Sequence, residues 1–158
     1  GEIRERRRLS AMKITIGCDH GALELKEEVK RMLAERPEVE VNDIGVYTAE
    51  SVDYPDIAAK VCAEIIAGRS VFGILLCGTG IGVSIAANKI HGIRAALCGD
   101  VYSAKMARQH NDANVLALGG RVLGFGPAGE IVRAFLDTPF EGGRHARRVG
   151  KIMALENP

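Results

Sequence analysis

The sequence predicts a single α/β domain built on a five-stranded, mostly parallel sheet. Three observations predict it. Apolar runs and amphipathic helical patterns alternate from end to end, the order expected of a parallel sheet with crossover helices. Residues 71–77 are nearly all apolar, as befits a central strand covered on both faces. No long low-complexity linker breaks the alternation, and 158 residues suit one domain with a sizeable core.

The elements follow in order. Residues 13–17 read as a short strand. Ala22, Leu25, Val29, Met32 and Leu33 recur at helical spacing, so 21–35 is an amphipathic helix, stopped by Pro37. Val39 and Val41 alternate with polar neighbours in a second strand that ends near Gly45. Asp53-Tyr54-Pro55 opens a helix with proline in its first turn, and Ala58, Val61, Cys62, Ile65 and Ile66 form its buried stripe. After the strand at 71–77 comes Gly78-Thr79-Gly80-Ile81-Gly82, then a helix over 83–89. A fourth strand covers 94–97, and Asp100 caps a helix that runs to Gln109. The fifth strand covers 115–118, Gly119-Gly120 turns the chain, and helices follow over 127–136 and 144–155. Strand order is not readable from the pattern. Ligands bind such sheets beyond the carboxyl ends of the strands, so chemistry is expected just after Gly17, Cys77, Leu97 and Leu118.

Composition narrows the class. Hydrophobic residues make up 47% and charged residues 26%, ordinary for a globular protein. No apolar run is long enough for a membrane span, and no signal-peptide pattern is present. The four cysteines stand singly, without a C-x-x-C pair or zinc-like spacing, which points to a reduced, cytoplasmic setting. The formal charge of +1 includes Arg4, Arg6, Arg7, Arg8, Glu2 and Glu5; without residues 1–11 there remain 17 basic and 18 acidic residues, a net of −1. That near-neutral body offers no footprint for nucleic acid. Met12-Lys13-Ile14 reads as a start, so 1–11 is expected to be a native extension or an expression remnant, with 12–158 the functional domain.

Four clusters could carry chemistry. Cys77 is followed by three glycines in five residues, which let the backbone bend tightly around an anion at a helix N-terminus; the plainer reading is a tight turn beside a core cysteine. The loop is neither G-x-x-x-x-G-K-[ST] nor G-x-G-x-x-G, so nucleotide binding is disfavoured. Cys18-Asp19-His20-Gly21 puts a carboxylate and an imidazole at the end of the first strand, though Asp19 also suits a cap. Arg108-Gln109-His110-Asn111-Asp112 gathers proton-transfer groups in one loop, or else is a polar turn. Arg121 and the helical pair Arg144 and Arg148 suit the oxygens of a phosphate monoester, or else a solvated basic face. Together they furnish a base, an oxyanion cradle, proton-transfer groups and a phosphate clamp near the expected binding edge.

Runs of these residues resemble type B ribose-5-phosphate isomerases, in the ribose/galactose isomerase family. The similar segments are Gly17-Cys18-Asp19-His20-Gly21, Ser51-Val52-Asp53-Tyr54-Pro55-Asp56, the run from Cys77 through Lys89, Gly92-Ile93-Arg94-Ala95, Arg108 through Asn114, and Gly142-Gly143-Arg144-His145. They fall in order from about Met12 to Leu155, nearly the whole chain.

The resemblance implies a three-layer α/β/α domain with a Rossmann-like sheet. It implies a homodimer or dimer of dimers, with active sites shared between subunits. The implied reaction interconverts ribose 5-phosphate and ribulose 5-phosphate through a 1,2-enediolate, in the pentose phosphate pathway, without metal or organic cofactor. By position, Cys77 matches the catalytic base and His110 the ring-opening histidine. Asp19 and Thr79 join them among the expected catalytic residues. Asp19, His20, Gly78, Thr79, Gly80, Ile81, Gly82 and Asn111 match substrate contacts, and Arg121, Arg144 and Arg148 match phosphate contacts. Two alternatives stay open: an isomerase of six-carbon allose or galactose 6-phosphate, and a noncatalytic sugar-phosphate sensor. Residues 1–11 lie outside the resemblance.

Overall fold

Five strands lie in the order β2-β1-β3-β5-β4, in a computed structural model that describes residues 11–158 and, of the ten before them, Glu2 alone. The expected extension at 1–11 therefore lies, apart from Glu2 and Ala11, outside the described residues. The strands are β1 (Met12–Cys18), β2 (Val39–Asp43), β3 (Phe72–Cys77), β4 (Ala95–Leu97) and β5 (Val115–Gly119). Every pairing is parallel.

Among the described residues the helices are α1 (Leu23–Ala34), α2 (Tyr54–Ile66), α3 (Ile81–Ala87), α4 (Val101–Gln109), α5 (Phe125–Asp137) and α6 (Arg144–Ala154). Alternation along β3 shows how they divide into layers. Phe72, Ile74 and Leu76 point into one core with Leu25, Val29 and Leu33 of α1, Ala104 of α4, and Ile131 and Phe135 of α5. Leu75 and Cys77 point into a second core with Ile57 and Val61 of α2 and Val83 of α3. Side chains of a strand face opposite sides in turn, so an apolar run buries both. The result is the three-layer α/β/α domain.

Two boundaries shift for local reasons. The helix after the glycine loop begins at Ile81, two residues early, because Gly80 takes a left-handed φ of 78° and starts the turn itself. It ends at Ala87 because the Asn88 side chain leaves the helix to bond with Ala95, donating to its carbonyl at 3.0 Å and accepting its N–H at 2.8 Å. The expected stripe on α2 also ends sooner: Ile66 is half exposed.

The strand order positions the site. From β1 the chain crosses to β2 on one side; from β3 it crosses to β4 on the other. Connections diverging from neighbouring strands leave a crevice at their carboxyl ends, between β1 and β3.

Candidate active site

That crevice holds two of the four clusters. Cys18 pairs with Leu76 in register, and the next residue, Asp19, donates its N–H to Leu76 O at 3.1 Å. The Asp19 carboxylate accepts the Gly21 N–H at 2.9 Å, so it caps the short 3₁₀ turn His20–Ala22. His20 accepts the Val52 N–H at Nδ1, 3.4 Å away. In the neutral ring this leaves Nε2 as the protonated nitrogen.

Across the crevice, Cys77 ends β3 with 5% of its surface exposed. Its Sγ accepts the Gly80 N–H at 3.2 Å. The hydroxyl of Thr79, which is exposed, accepts the Ile81 N–H at 3.2 Å. Arg121 joins this loop from β5, donating its N–H to Gly78 O at 2.9 Å. Cys77, Asp19, His20, Thr79 and Arg121 thus stand together on one edge. Burial pushes the thiols of Cys18, Cys62 and Cys98 up to about 11.

Residues around His110 lie elsewhere, and this corrects the expectation that all four clusters fall near the binding edge. Helix α4 carries the chain back to the amino end of β5, so His110 and Asn111 precede that strand. Asn114, just beyond them, accepts the Gly73 N–H at the start of β3. Cys77 lies four residues further along, about 13 Å at the usual strand rise. Arg144 and Arg148, exposed on α6, belong to the His110 side.

There His110 stacks on His145, ring centroids 4.2 Å apart and planes 10° from parallel. His145 is buried, and burial followed by the charge of His110 pushes its imidazole below the usual range. Its Nε2 lies 3.9 Å from Glu141 Oε1. Gln109 holds Glu141 by a 2.8 Å bond, the main reason its carboxyl sits low. The polar-turn reading of this loop also has substance: Asp112 takes a φ of 46°. Arg108 is structural. Its guanidinium lies 4.6 Å from the Phe72 ring and donates to Asp112 Oδ1 and Ala113 O.

Three residues had been given no role of their own by the sequence. Tyr54 packs so closely on α3 that a Cβ on Gly82 would come within 2.6 Å of its ring. Lys26 has no exposed surface and donates to Asp43 Oδ1 at 2.9 Å and Val46 O at 2.6 Å. This clamp holds the turn whose backbone pairs with Cys18, through Cys18 N to Gly45 O and Val46 N to Cys18 O. A signal was present: Lys26 falls on the stripe defined by Ala22 and Val29. His145 gave no signal beyond its place beside Arg144.

Fold and site together define an α/β protein with a cysteine at a strand end, beneath a glycine loop at the sheet's switch point. The family model described as Ribose/Galactose Isomerase matches residues 14–152. Ribose-5-phosphate isomerase B of Escherichia coli is 51% identical over 91% of this chain and 96% of its own length. A ribose-5-phosphate isomerase B structure from Clostridium thermocellum superposes with a TM-score of 0.89 at 54% identity, covering 92% of this chain and 97% of that one. A protein of Pectobacterium atrosepticum named D-erythrulose-4-phosphate isomerase is 46% identical, over 92% of this chain and 96% of its own length. The chain belongs to the ribose/galactose isomerase family and is an aldose–ketose isomerase. No helix among the described residues is long and apolar enough to cross a membrane.

Proposed function

We propose that the chain interconverts ribose 5-phosphate and ribulose 5-phosphate, with Cys77 as the base. The observation that carries this reading is the placement of Cys77 at the carboxyl end of β3, its Sγ 3.2 Å from the Gly80 amide, beside the end of β1 that leads into Asp19 and His20. In the open-chain aldose, the Cys77 thiolate takes the C2 proton, giving a thiol and a 1,2-enediolate. The thiol returns the proton to C1, and the Thr79 hydroxyl passes the remaining proton between O1 and O2. Amides of the loop from Gly78 to Gly82 hold the negative oxygen; one such donor is typically worth about 10²–10³ in rate.

His110 is the proton donor to the ring oxygen that opens the furanose, with Asp19 accepting the anomeric proton. Because His110 precedes the amino end of β5 while Cys77 stands at the carboxyl end of β3 in one chain, a second copy supplies it, along with Asn111, Arg144 and Arg148. Asp19, His20 and Arg121 come from the first copy. The arginines grip a phosphate that does not react and so hold C1 and C2 at the thiol. The working form in this reading is a homodimer or a dimer of dimers.

Cys77→Ala tests the base. It should abolish isomerisation while binding of ribose 5-phosphate persists in calorimetry; near-normal turnover would remove Cys77 from the mechanism. A second reading, a four-carbon ketose phosphate as substrate, draws on the 46%-identical relative named for erythrulose 4-phosphate. Specificity constants across four-, five- and six-carbon phosphates, measured with chelator present, decide between them.

A further inference from the structure

We propose that His110, Glu141 and His145 form a site for a borderline divalent cation such as zinc, and that the bound ion inhibits turnover by occupying His110. The inhibitory half rests on the ring-opening role given to His110; the binding half does not.

Each residue offers one ligand atom, and these atoms all lie within 4.8 Å of one another. His145 is 4% exposed, and its Nε2 has no hydrogen-bond partner. A buried polar atom left unpaired costs roughly 1–3 kcal/mol, so a ligand that satisfies it is favoured. A carboxylate oxygen, Glu141 Oε1, lies 3.9 Å from it.

Zinc takes nitrogen and oxygen ligands at about 2.0–2.1 Å in a tetrahedron, which puts any two of them about 3.3 Å apart. The observed separations must therefore shrink by about 0.6 Å for the Glu141–His145 pair and by about 1.5 Å at most. The movable partners are the right ones. Glu141 precedes Gly142-Gly143 outside any helix with its side chain 48% exposed, and His110 stands at the end of α4. His145 is held by burial. The His110 ring must also turn out of its stack, because parallel rings aim their lone pairs side by side.

Two imidazoles and one carboxylate select zinc, nickel or copper over magnesium and calcium, which prefer all-oxygen shells. Three protein ligands leave a fourth position open to water or a substrate oxygen. Arg144 and Arg148, exposed on the helix that carries His145, lower the affinity for any cation.

The test uses untagged protein titrated with zinc in calorimetry and with cobalt in visible absorption. We expect one ion per chain and the bands of a tetrahedral cobalt site. Glu141→Gln, a change at an exposed side chain, should keep basal turnover and weaken binding at least tenfold; His145→Phe should do the same to binding. Cys77→Ala should bind as the wild type does. Absence of stoichiometric binding, indifference to both ligand variants, or loss of the ion in Cys77→Ala would overturn the site. Zinc should also inhibit turnover, reversibly with chelator, and at least tenfold less well in Glu141→Gln. Binding without inhibition would overturn the inhibitory half and count against His110 as the acid, while leaving the Cys77 reading to its own test.

Discussion

The Gly80 amide donates to Cys77 Sγ across 3.2 Å, and Gly80 makes this bond only because its φ is 78°. A side chain there would be strained in the backbone and would meet Leu97 Cδ1 at 2.6 Å and the Leu118 carbonyl carbon at 2.8 Å. Gly80→Ala should therefore displace the loop. We expect a stability loss of about 1–3 kcal/mol from the strained φ. The fall in kcat should be on the order of 10²-fold, from misplacement of the base. Thermal unfolding and steady-state kinetics check both, and an unchanged kcat would mean that this amide does not set the position of the thiol.

The Lys26–Asp43 clamp predicts a pH dependence. Burial alone would push the Asp43 carboxyl up, but Lys30, Lys26 and the Gly45 amide outweigh it and hold the group below its ordinary value of 3.8. A depressed carboxyl contributes stability that is full above its unfolded value and is lost as pH falls through the folded one. The wild type should exceed Asp43→Asn in urea stability at pH 7, and the gap should narrow below about pH 4. A constant gap would show that the charge on Asp43 contributes nothing.

Lys26→Met should cost about 3 kcal/mol, the lower end for breaking a buried ion pair, because Lys30 still reaches Asp43. Lys30 Nζ lies 2.8 Å from Asp43 Oδ2. Denaturant unfolding measures the loss. A neutral result would mean that packing of the lysine stem, rather than its charge, is what the site uses.

Thiol labelling separates the cysteines. Cys18, Cys62 and Cys98 are buried and pushed up to about 11, so at pH 7.5 they are almost wholly protonated. Iodoacetamide should leave these three unmodified in the native protein and alkylate all four cysteines after denaturation. Native labelling of Cys62, read by peptide mass spectrometry, would contradict its burial.

His110→Asn should slow ribose 5-phosphate more than erythrose 4-phosphate. The four-carbon sugar cannot close a furanose, since its C4 oxygen carries the phosphate. Equal losses in kcat/KM on both would remove His110 from ring opening.

What the sequence by itself determined is local. The pattern of apolar residues marked the five strands and six α-helices described above, because burial on a strand or a helical stripe is written at spacings of two or of three and four. The Asp100 cap, which accepts the Ser103 N–H at 2.7 Å, was legible in the same way. So were the motifs that place the chain in its family. The tertiary structure decided which residues meet. Strand order brings Asp19 beside the loop of Cys77, although 58 residues separate them, and α4 carries His110 to the far end of the sheet although both belong to the same family pattern. The His110–His145 stack and the Lys26 clamp join residues whose sequence neighbours give no hint of the pairing. Such contacts depend on the direction in which each crossover runs, and no local periodicity carries that information.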